Sequence, residues 1–257
     1  MWSNPSEKRS FIPNGITVWR QTLWRSSLGK PLGTCIKQRI LDPLGMQRTT
    51  LGYPKDENTA RAYVVSNDGT SHKVPFPNVS DDTGFSDGAG AKTIIKDLLL
   101  MYQSPLFAYG HQSQSTSGTT RASPFKYLQA IFPLHIEVGS SDINDVAYCL
   151  SLYRIRLPGN PGVGSMNSPL IGPFRMSSID AGSQGLDVYP HTANISCLTA
   201  SAFLISSLES AVVVMTMLLP LMDPIEFVGQ SNLYLLLGEQ VPADERAFAA
   251  FVGSYQL

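Results

Sequence analysis

Residues 202–214 read Ala-Phe-Leu-Ile-Ser-Ser-Leu-Glu-Ser-Ala-Val-Val-Val, and this stretch decides the fold. Two apolar runs, rich in branched and aromatic side chains, flank a polar segment of serines and a glutamate. Such runs are typical of buried strands, and the polar segment is typical of a hairpin turn. The stretch therefore predicts two antiparallel strands over 200–205 and 211–218, joined by a turn at 206–210.

Further strands and a closing helix are predicted around this hairpin. Residues 147–157 and 187–191 have the composition of strands. Residues 224–237 predict a helix that turns its apolar side inward. The inward residues are Phe227, Leu233, Leu236 and Leu237. The second half of the chain is thus predicted to be an antiparallel meander followed by a helix.

The first half of the chain has a mostly helical pattern. Apolar residues recur at spacings of three and four over 32–41, which predicts a short amphipathic helix ended by Pro43 and Gly45. A second helix is predicted over 93–102. Serines, threonines and prolines crowd 104–124, which predicts a surface loop.

Three shorter elements complete the prediction. The Asn-Asp-Gly turn at 67–69 predicts a hairpin of strands over 62–65 and 72–76, and a helix is predicted around 124–132. Helices followed by a meander and a closing helix indicate an α+β fold rather than a parallel doubly wound sheet. We therefore expect an antiparallel sheet flanked by helices, plus a helical subdomain.

Composition excludes several classes of partner. The chain has 257 residues, a net charge of −1 and mixed charges along its length, which disfavours nucleic acid and anionic membranes as partners. Its three cysteines, Cys35, Cys149 and Cys197, are far apart and predict small buried apolar residues. No metal and no other cofactor is predicted.

No membrane segment or leader is predicted. The N-terminal residues lack the apolar region of a signal peptide. The longest apolar run, 211–222, contains Pro220 and is shorter than the roughly 18–20 residues that a membrane span needs. These observations predict a cytoplasmic location.

Three segments resemble one family in the right order. Residues 38–50 read Gln-Arg-Ile-Leu-Asp-Pro-Leu-Gly-Met-Gln-Arg-Thr-Thr, a helix-to-loop segment similar to that of class C β-lactamase-like esterases and transesterases. Residues 87–99 are similar to the glycine-rich region and helix of that family, and 202–214 resemble its paired strands. The sequences of these segments are most similar to those of fungal members of the family, which often act in secondary metabolism.

The resemblance implies a domain organisation. Residues 1–240 would form a partial β-lactamase/transpeptidase-like domain, with a mostly helical part at 1–135 and strands and closing helix at 136–240. Residues 241–257 would be a linker and the first strand of a C-terminal β-barrel. The fold would be incomplete at the N-terminus, because the family's Ser-x-x-Lys helix would lie before Met1, and the chain is predicted to be truncated.

The resemblance also implies a reaction, acyl transfer on an ester, thioester or amide of a small molecule. A serine nucleophile and a lysine must stack one helical turn apart. The one match to that spacing runs from Ser27 to Lys30, and we reject it because Gly29 weakens a helix and Pro31 disfavours a helical Lys30. No catalytic nucleophile is found.

Four residues match the remaining motifs of the family. Asn14 falls on the asparagine of Tyr-x-Asn, with Ile12 in the tyrosine position, although Asn14-Gly15 is equally a plain turn. His191-Thr192-Ala193 replaces Lys-Thr-Gly or His-x-Gly. His191 could donate a hydrogen bond to substrate, and the main-chain N–H of Asn194 could form part of an oxyanion hole. The candidate cleft residues are therefore Asn14, His191, Thr192 and Asn194.

Alternatives remain beside this interpretation. His191 could instead be a strand-end histidine bonded locally, and His72, His111 and His135 are expected to be structural or exposed. A Gly-x-Ser-x-Gly match at 84–88 is disfavoured because a loop precedes it where a nucleophile elbow needs a buried strand. The function is predicted to be an impaired serine hydrolase or transesterase, or else a non-catalytic remnant of one with a binding role.

Overall fold

A computed structural model of the protein describes residues 29–52, 59–75, 79, 90–133, 135–141, 144–149, 151–161, 178–179, 185–195, 197–219 and 224–238. Two sheets dominate it, an antiparallel sheet of six strands and a smaller mixed sheet of three. Helices pack against the larger sheet from both sides. The predicted α+β class is confirmed.

The elements have the following bounds. The helices are α1 (Leu32–Ile36), α2 (Asp42–Leu44), α3 (Ile95–Ser113) and α4 (Pro224–Leu236), with a π-helical segment at Lys37–Leu41 between α1 and α2. The strands are β1 (Tyr63–Val65), β2 (Ser71–Lys73), β3 (Ile136–Ser141), β4 (Asn144–Tyr148), β5 (Tyr153–Arg156), β6 (Asp187–Ile195), β7 (Leu198–Ile205), β8 (Ser210–Thr216) and β9 (Leu218–Leu219). Short 3₁₀ turns occupy Leu128–Ala130 and Ser206–Leu208.

The predicted hairpin at 202–214 lies at one end of the six-stranded sheet. The strand order is β3-β4-β5-β6-β7-β8, and each neighbouring pair is antiparallel. The register of β7 and β8 runs from Thr199↔Thr216 to Ile205↔Ser210. The turn closes through Glu209 in a left-handed conformation (φ 46°). This part of the sequence prediction is confirmed.

Both faces of the hairpin are covered, which explains its nearly continuous apolar sequence. Ala202 and Leu204 pack with Leu106 and Ala108 of α3 on one face. On the other face, the core residues come from the sheet, from α4 and from the segments beside them. They include Val188, Phe203, Ile205, Leu233 and Tyr234. Alternate side chains of a strand point to opposite faces, so a strand buried on both sides has little room for polar residues.

Helix α3 corrects the predicted loop at 104–124. It runs for 19 residues to Ser113, well beyond the predicted end at 102, and it contains Pro105. Leu106 and Ala108 are fully buried against the sheet. Their burial outweighs the cost of a proline and of weak helix formers, because tertiary packing overrides local propensity. Only the part of that segment after the helix is irregular.

The region 124–157 also differs from its prediction. The single strand expected over 147–157 is a hairpin of β4 and β5. Its turn runs from Cys149 to Leu152, with Ser151 in a left-handed conformation (φ 104°). Strand β3 was not predicted, and the helix expected around 124–132 is reduced to one 3₁₀ turn. In each case tertiary pairing decided a segment whose local pattern was ambiguous.

The smaller sheet joins the two halves of the chain. Its order is β2-β1-β9, with β1 antiparallel to β2 and parallel to β9. The predicted Asn-Asp-Gly turn is confirmed, and Gly69 has the positive φ (82°) that favours glycine there. The parallel pairing of β1 with β9 was not predicted.

Helix ends, cysteines and helix faces agree with the sequence predictions in most details. The helix expected over 32–41 is present but continues through Pro43, which is tolerated in the first turn of α2, and ends at the left-handed Gly45. In α4, Phe227 and Leu233 are buried as predicted, but Leu236 is 42% exposed. All three cysteines are buried and unbonded, as predicted. Among the described residues, no helix is both long and apolar enough to cross a bilayer.

Candidate functional site

Strand β6 carries three of the four candidate cleft residues. His191 lies opposite Ala202 of β7, Thr192 opposite Ser201 and Asn194 opposite Thr199. Because side chains alternate along a strand, His191 is on the face covered by α3 and Thr192 is on the face covered by α4. The fourth candidate, Asn14, is outside the described residues.

A small cavity lies between α3 and the sheet, with His191 in its wall. Its volume is about 20 Å³, enough for one water molecule. The lining residues are Leu98 and Tyr102 of α3 and, from the sheet, His191, Ala193, Ala200, Ser201, Ala202 and Val213. Ala193 lines this cavity at the position where the sequence resemblance predicts a glycine.

Burial keeps both titratable groups of this cavity neutral. Desolvation lowers the pKa of His191 from its usual value, because the charged imidazolium is poorly solvated there. Desolvation also raises the pKa of Tyr102, because it disfavours the phenolate. The cavity therefore presents one phenol and one neutral imidazole, each of which can donate a hydrogen bond.

The main chain of β6 offers further donors near His191. The N–H of Leu157 donates to the carbonyl oxygen of Leu186 at 2.9 Å, so residue 186 directs its main-chain polar groups towards the β5 side. In an antiparallel strand, the main-chain N–H and C=O groups of successive residues point to opposite edges. Residues 192 and 194 are an even number of positions from residue 186, so the N–H groups of Thr192 and Asn194 also point towards the β5 side.

Within the described residues, most of that side of β6 is not paired with another strand. Strand β5 pairs with β6 only at Asp187 and Val188, and no other described strand pairs there. Two main-chain donors therefore lie along a strand edge, on either side of Ala193 and next to His191. Such donors are the usual components of an oxyanion hole.

The described part of the chain contains no activated serine. No serine hydroxyl in it hydrogen-bonds to a lysine or to a histidine ring nitrogen. Ser201 borders the cavity, but strand alternation places its side chain on the α4 face, away from the imidazole. Ser27 and the Gly-x-Ser-x-Gly match at 84–88 are outside the described residues.

Two lysines near the family-like segments have other partners. Lys30 is exposed, and its Nζ donates to Oε1 of Gln38 at 3.4 Å. The Nζ of Lys92 donates to the carbonyl oxygen of Val79, and partial burial lowers the pKa of Lys92. Neither ammonium group is shown beside a hydroxyl that it could activate.

The other histidines have the exposed or structural positions predicted for them. His72, His111 and His135 are all exposed. Nδ1 of His111 is 3.2 Å from Oγ1 of Thr120, and Nε2 of His135 is 2.6 Å from the carbonyl oxygen of Ala130. Across the described ranges, no group of three or more His, Cys, Asp or Glu side chains could hold a metal ion.

Tyr102 is the cavity residue that the sequence analysis missed. It is the last residue of the helix predicted over 93–102, and no functional motif includes it. Leu98 and Tyr102 are one helical turn apart, and they face a sheet whose β7 residues Ala200 and Ala202 are small. A tyrosine on a helix face opposite small strand residues was the signal that could have found it.

The sequence profile of the family described as Beta-lactamase matches residues 7–135, half of the chain. The chain belongs to the β-lactamase family. The match covers the two helix-and-loop segments whose resemblance was noted above. No curated protein sequence matches this β-lactamase-family protein.

Solved structures of similar fold have low sequence identity to this β-lactamase-family protein. They include a D-stereospecific amidohydrolase from Streptomyces sp. (TM-score 0.50, 18% identity, 80% of this chain and 49% of that one). A class C β-lactamase from Rhodobacter sphaeroides has a TM-score of 0.54 and 13% identity, and covers 93% of this chain and 57% of its own. A β-lactamase/D-alanine carboxypeptidase from Pseudomonas syringae has a TM-score of 0.53, with the same identity and coverage. The chain thus spans about half the length of these structures, and the likeness establishes the fold.

Proposed function

We propose that the protein carries out acyl transfer on an ester, thioester or amide, as a serine hydrolase or transesterase of the β-lactamase type. One observation carries the proposal: the neutral imidazole of His191 lines a cavity beside a strand edge that presents two main-chain N–H groups. These are the donors that a carbonyl group needs when it becomes a tetrahedral oxyanion.

Each residue has a distinct role in this proposal. His191 donates a hydrogen bond from its neutral ring to the substrate, and the N–H groups of Thr192 and Asn194 stabilise the developing negative charge. The methyl group of Ala193 limits how closely the acyl group approaches β6. The nucleophile is a serine outside the described residues.

The class of substrate rests on the relatives and on the sequence. Two proteins of similar structure, a D-stereospecific amidohydrolase and a β-lactamase/D-alanine carboxypeptidase, favour an amide substrate. The resemblance of residues 38–50 to fungal esterases and transesterases favours a small molecule of fungal secondary metabolism. A small-molecule substrate also agrees with a near-neutral chain.

A covalent probe tests the proposal. The purified protein is treated with a fluorophosphonate, and the modified peptide is identified by mass spectrometry. We expect one labelled serine, and we expect His191→Ala to slow labelling by roughly a hundredfold, as loss of an oxyanion donor does. His111→Ala, an exposed histidine on α3, is the matched control and should label at the unaltered rate. Folded protein that takes no label refutes the proposal.

A second candidate is a non-catalytic member of the family that binds ligands in the retained cleft. It is favoured by the lack of any bond, within the described residues, between a serine hydroxyl and a lysine or histidine nitrogen. This candidate predicts no label from the fluorophosphonate. It also predicts saturable binding of N-acyl amides in ligand-observed NMR, lost in His191→Ala and kept in His111→Ala.

A further inference from the structure

We propose that the acyl group transferred at this site is uncharged and no larger than acetyl, and that its methyl group occupies the cavity between α3 and the sheet. This inference deepens the proposed function and rests on it. It narrows the substrate to an acetyl ester, thioester or amide, whereas the proposed function leaves the length of the acyl group open.

The cavity lies on the α3 face of β6, beside the main-chain donors of the proposed oxyanion hole. His191 and Ala193 both line it, and Ala193 is exposed, so the cavity can be reached from solvent beside that residue. Thr192 and Asn194, whose N–H groups point towards the β5 side, are the neighbours of Ala193 in the strand. A carbonyl oxygen held by these groups places the carbonyl carbon beside Ala193, and a short substituent on that carbon can extend over the strand into the cavity.

The inner end of the cavity suits the acyl side of the substrate. Beyond His191 it is bounded by Ala200, Ala202 and Val213 of the sheet and by Leu98 of α3. In acyl transfer the leaving group departs and an acceptor takes its place, whereas the acyl group stays bonded to the nucleophile between the two steps. A group that leaves and is replaced needs a path to solvent. The inner end is therefore left to the substituent of the acyl group.

The size of the cavity limits that substituent. Its volume of about 20 Å³ holds a group of about the size of one water molecule, and a methyl group is of similar size. The walls have little room to retreat, because Ala202 belongs to the buried core with Leu106, and Val213 packs against that core. One methylene group of misfit in a pocket typically changes kcat/KM by roughly 10–200-fold.

The lining also disfavours a charged acyl group. Five of the lining side chains are apolar, and Ser201 directs its hydroxyl to the opposite face. Burial lowers the pKa of His191 and keeps its imidazole neutral, so the wall offers no cation to a carboxylate. A charged group in this cavity would lose its water without gaining an opposite charge.

A series of esters of increasing chain length tests the inference. Hydrolysis of p-nitrophenyl acetate, butyrate and hexanoate by the purified protein is measured, and the acyl-enzyme is identified by mass spectrometry. We expect kcat/KM to be greater for the acetate than for the hexanoate by at least roughly tenfold. Equal values for the three esters, or a preference for the longer ones, would overturn the inference.

Two variants enlarge the cavity. Val213→Ala and Leu98→Ala should each raise the ratio of kcat/KM for butyrate to that for acetate by roughly tenfold, because each removes methyl groups from the wall. Val212→Ala is the matched control: it is the same substitution one residue away in β8, on the α4 face and outside the cavity. It should leave the ratio unchanged. The ratio does not depend on the fraction of folded protein, so an unchanged ratio in both enlarged variants would refute the inference.

The outcomes separate this inference from the proposed function. Fluorophosphonate labelling of a serine without any preference among the esters would remove the inference and keep the proposed function. Folded protein that takes no label and hydrolyses none of the esters would refute the proposed function, and the inference would fall with it.

Discussion

The carboxylate of Asp97 accepts a hydrogen bond from the main-chain N–H of Arg48 at 2.8 Å. The same oxygen accepts one from the hydroxyl of Thr49 at 2.9 Å, and that hydroxyl lies 2.7 Å from Oγ1 of Thr93. Asp97 is buried in the first turn of α3, directly before the cavity residue Leu98. This link therefore holds the start of α3 against the segment that follows α2.

We expect Asp97→Ala to lower the free energy of unfolding by about 2–4 kcal/mol. The change removes two hydrogen bonds to a charged acceptor, one from the main-chain N–H of Arg48 and one from the hydroxyl of Thr49. Urea unfolding followed by circular dichroism measures the loss. Lys96→Ala, an exposed neighbour, should stay within about 0.5 kcal/mol of wild type. Equal stability of the two variants would show that the Asp97 bonds contribute nothing.

Gln112 should anchor the irregular segment after α3. Its side chain is fully buried, donates to the carbonyl oxygen of Phe125 at 3.1 Å, and accepts from the N–H of Leu128 at 2.9 Å. Gln112→Leu leaves both main-chain groups unpaired and should cost about 2–4 kcal/mol. Limited proteolysis should cut the segment at 114–127 faster in this variant. Gln114→Leu, an exposed change of the same kind, should leave the cleavage rate unaltered.

Gly229 should tolerate no side chain. It is buried in α4, and a Cβ placed there would overlap the ring of Phe203. Phe203 is itself 1% exposed in the core of β7, so neither group has room to move. Gly229→Ala should therefore destabilise the protein by about 1–3 kcal/mol, although alanine is the better helix former. A thermal melt that is equal to or higher than that of wild type would contradict this packing.

His191 should make the protein less stable in mild acid. Burial lowers its pKa in the folded state, so the unfolded chain binds the proton more readily. The penalty is absent above the unfolded pKa of about 6.5 and grows as the pH falls below it towards the folded pKa. In urea titrations at several pH values, His191→Gln should lose stability less steeply below pH ~6.5 than wild type. The exposed His72→Gln is the control, and three parallel curves would exclude this effect.

Ala193→Gly should make the cleft more accessible. It introduces the glycine that the sequence resemblance predicts at this position, and it removes a methyl group from the cavity wall. We expect fluorophosphonate labelling to accelerate by roughly tenfold, the effect typical of one methyl-sized group in a pocket. Glycine in a strand should also cost about 0.5–1 kcal/mol of stability. Ala211→Gly in β8, on the same face but outside the cavity, should show the cost without the acceleration.

Local sequence patterns predicted those elements whose partners are close in the chain. The hairpin at 202–214 and the Asn-Asp-Gly turn need only neighbouring residues and a turn, so their patterns were sufficient. The length of α3 was beyond such reasoning, because Pro105 and its polar neighbours argue against a helix. Only the burial of Leu106 and Ala108 against a sheet formed 90 residues later explains it.

In the candidate site too, the residues of one local motif were predicted from the sequence, whereas features that depend on tertiary packing were not. His191, Thr192 and Asn194 came from a motif within one strand, and the structure places them together on β6. The motif does not reveal that the His191 side chain faces α3, that the Thr192 side chain faces α4, or that the main-chain N–H groups lie at the β5 edge. These positions depend on the register of β6 with β7 and β5. Tyr102 enters the cavity from an element with no motif at all, because its place depends on how α3 packs across the sheet.

The parallel pairing of β1 with β9 has a consequence for synthesis of the protein on the ribosome. A two-stranded hairpin such as β1–β2 is marginally stable alone in water. Its third strand is translated only after the whole larger sheet. The nascent β1–β2 hairpin therefore lacks its third strand until β9 has been translated. On a ribosome stalled before Leu218, strands β1 and β2 would be accessible to proteases and chaperones.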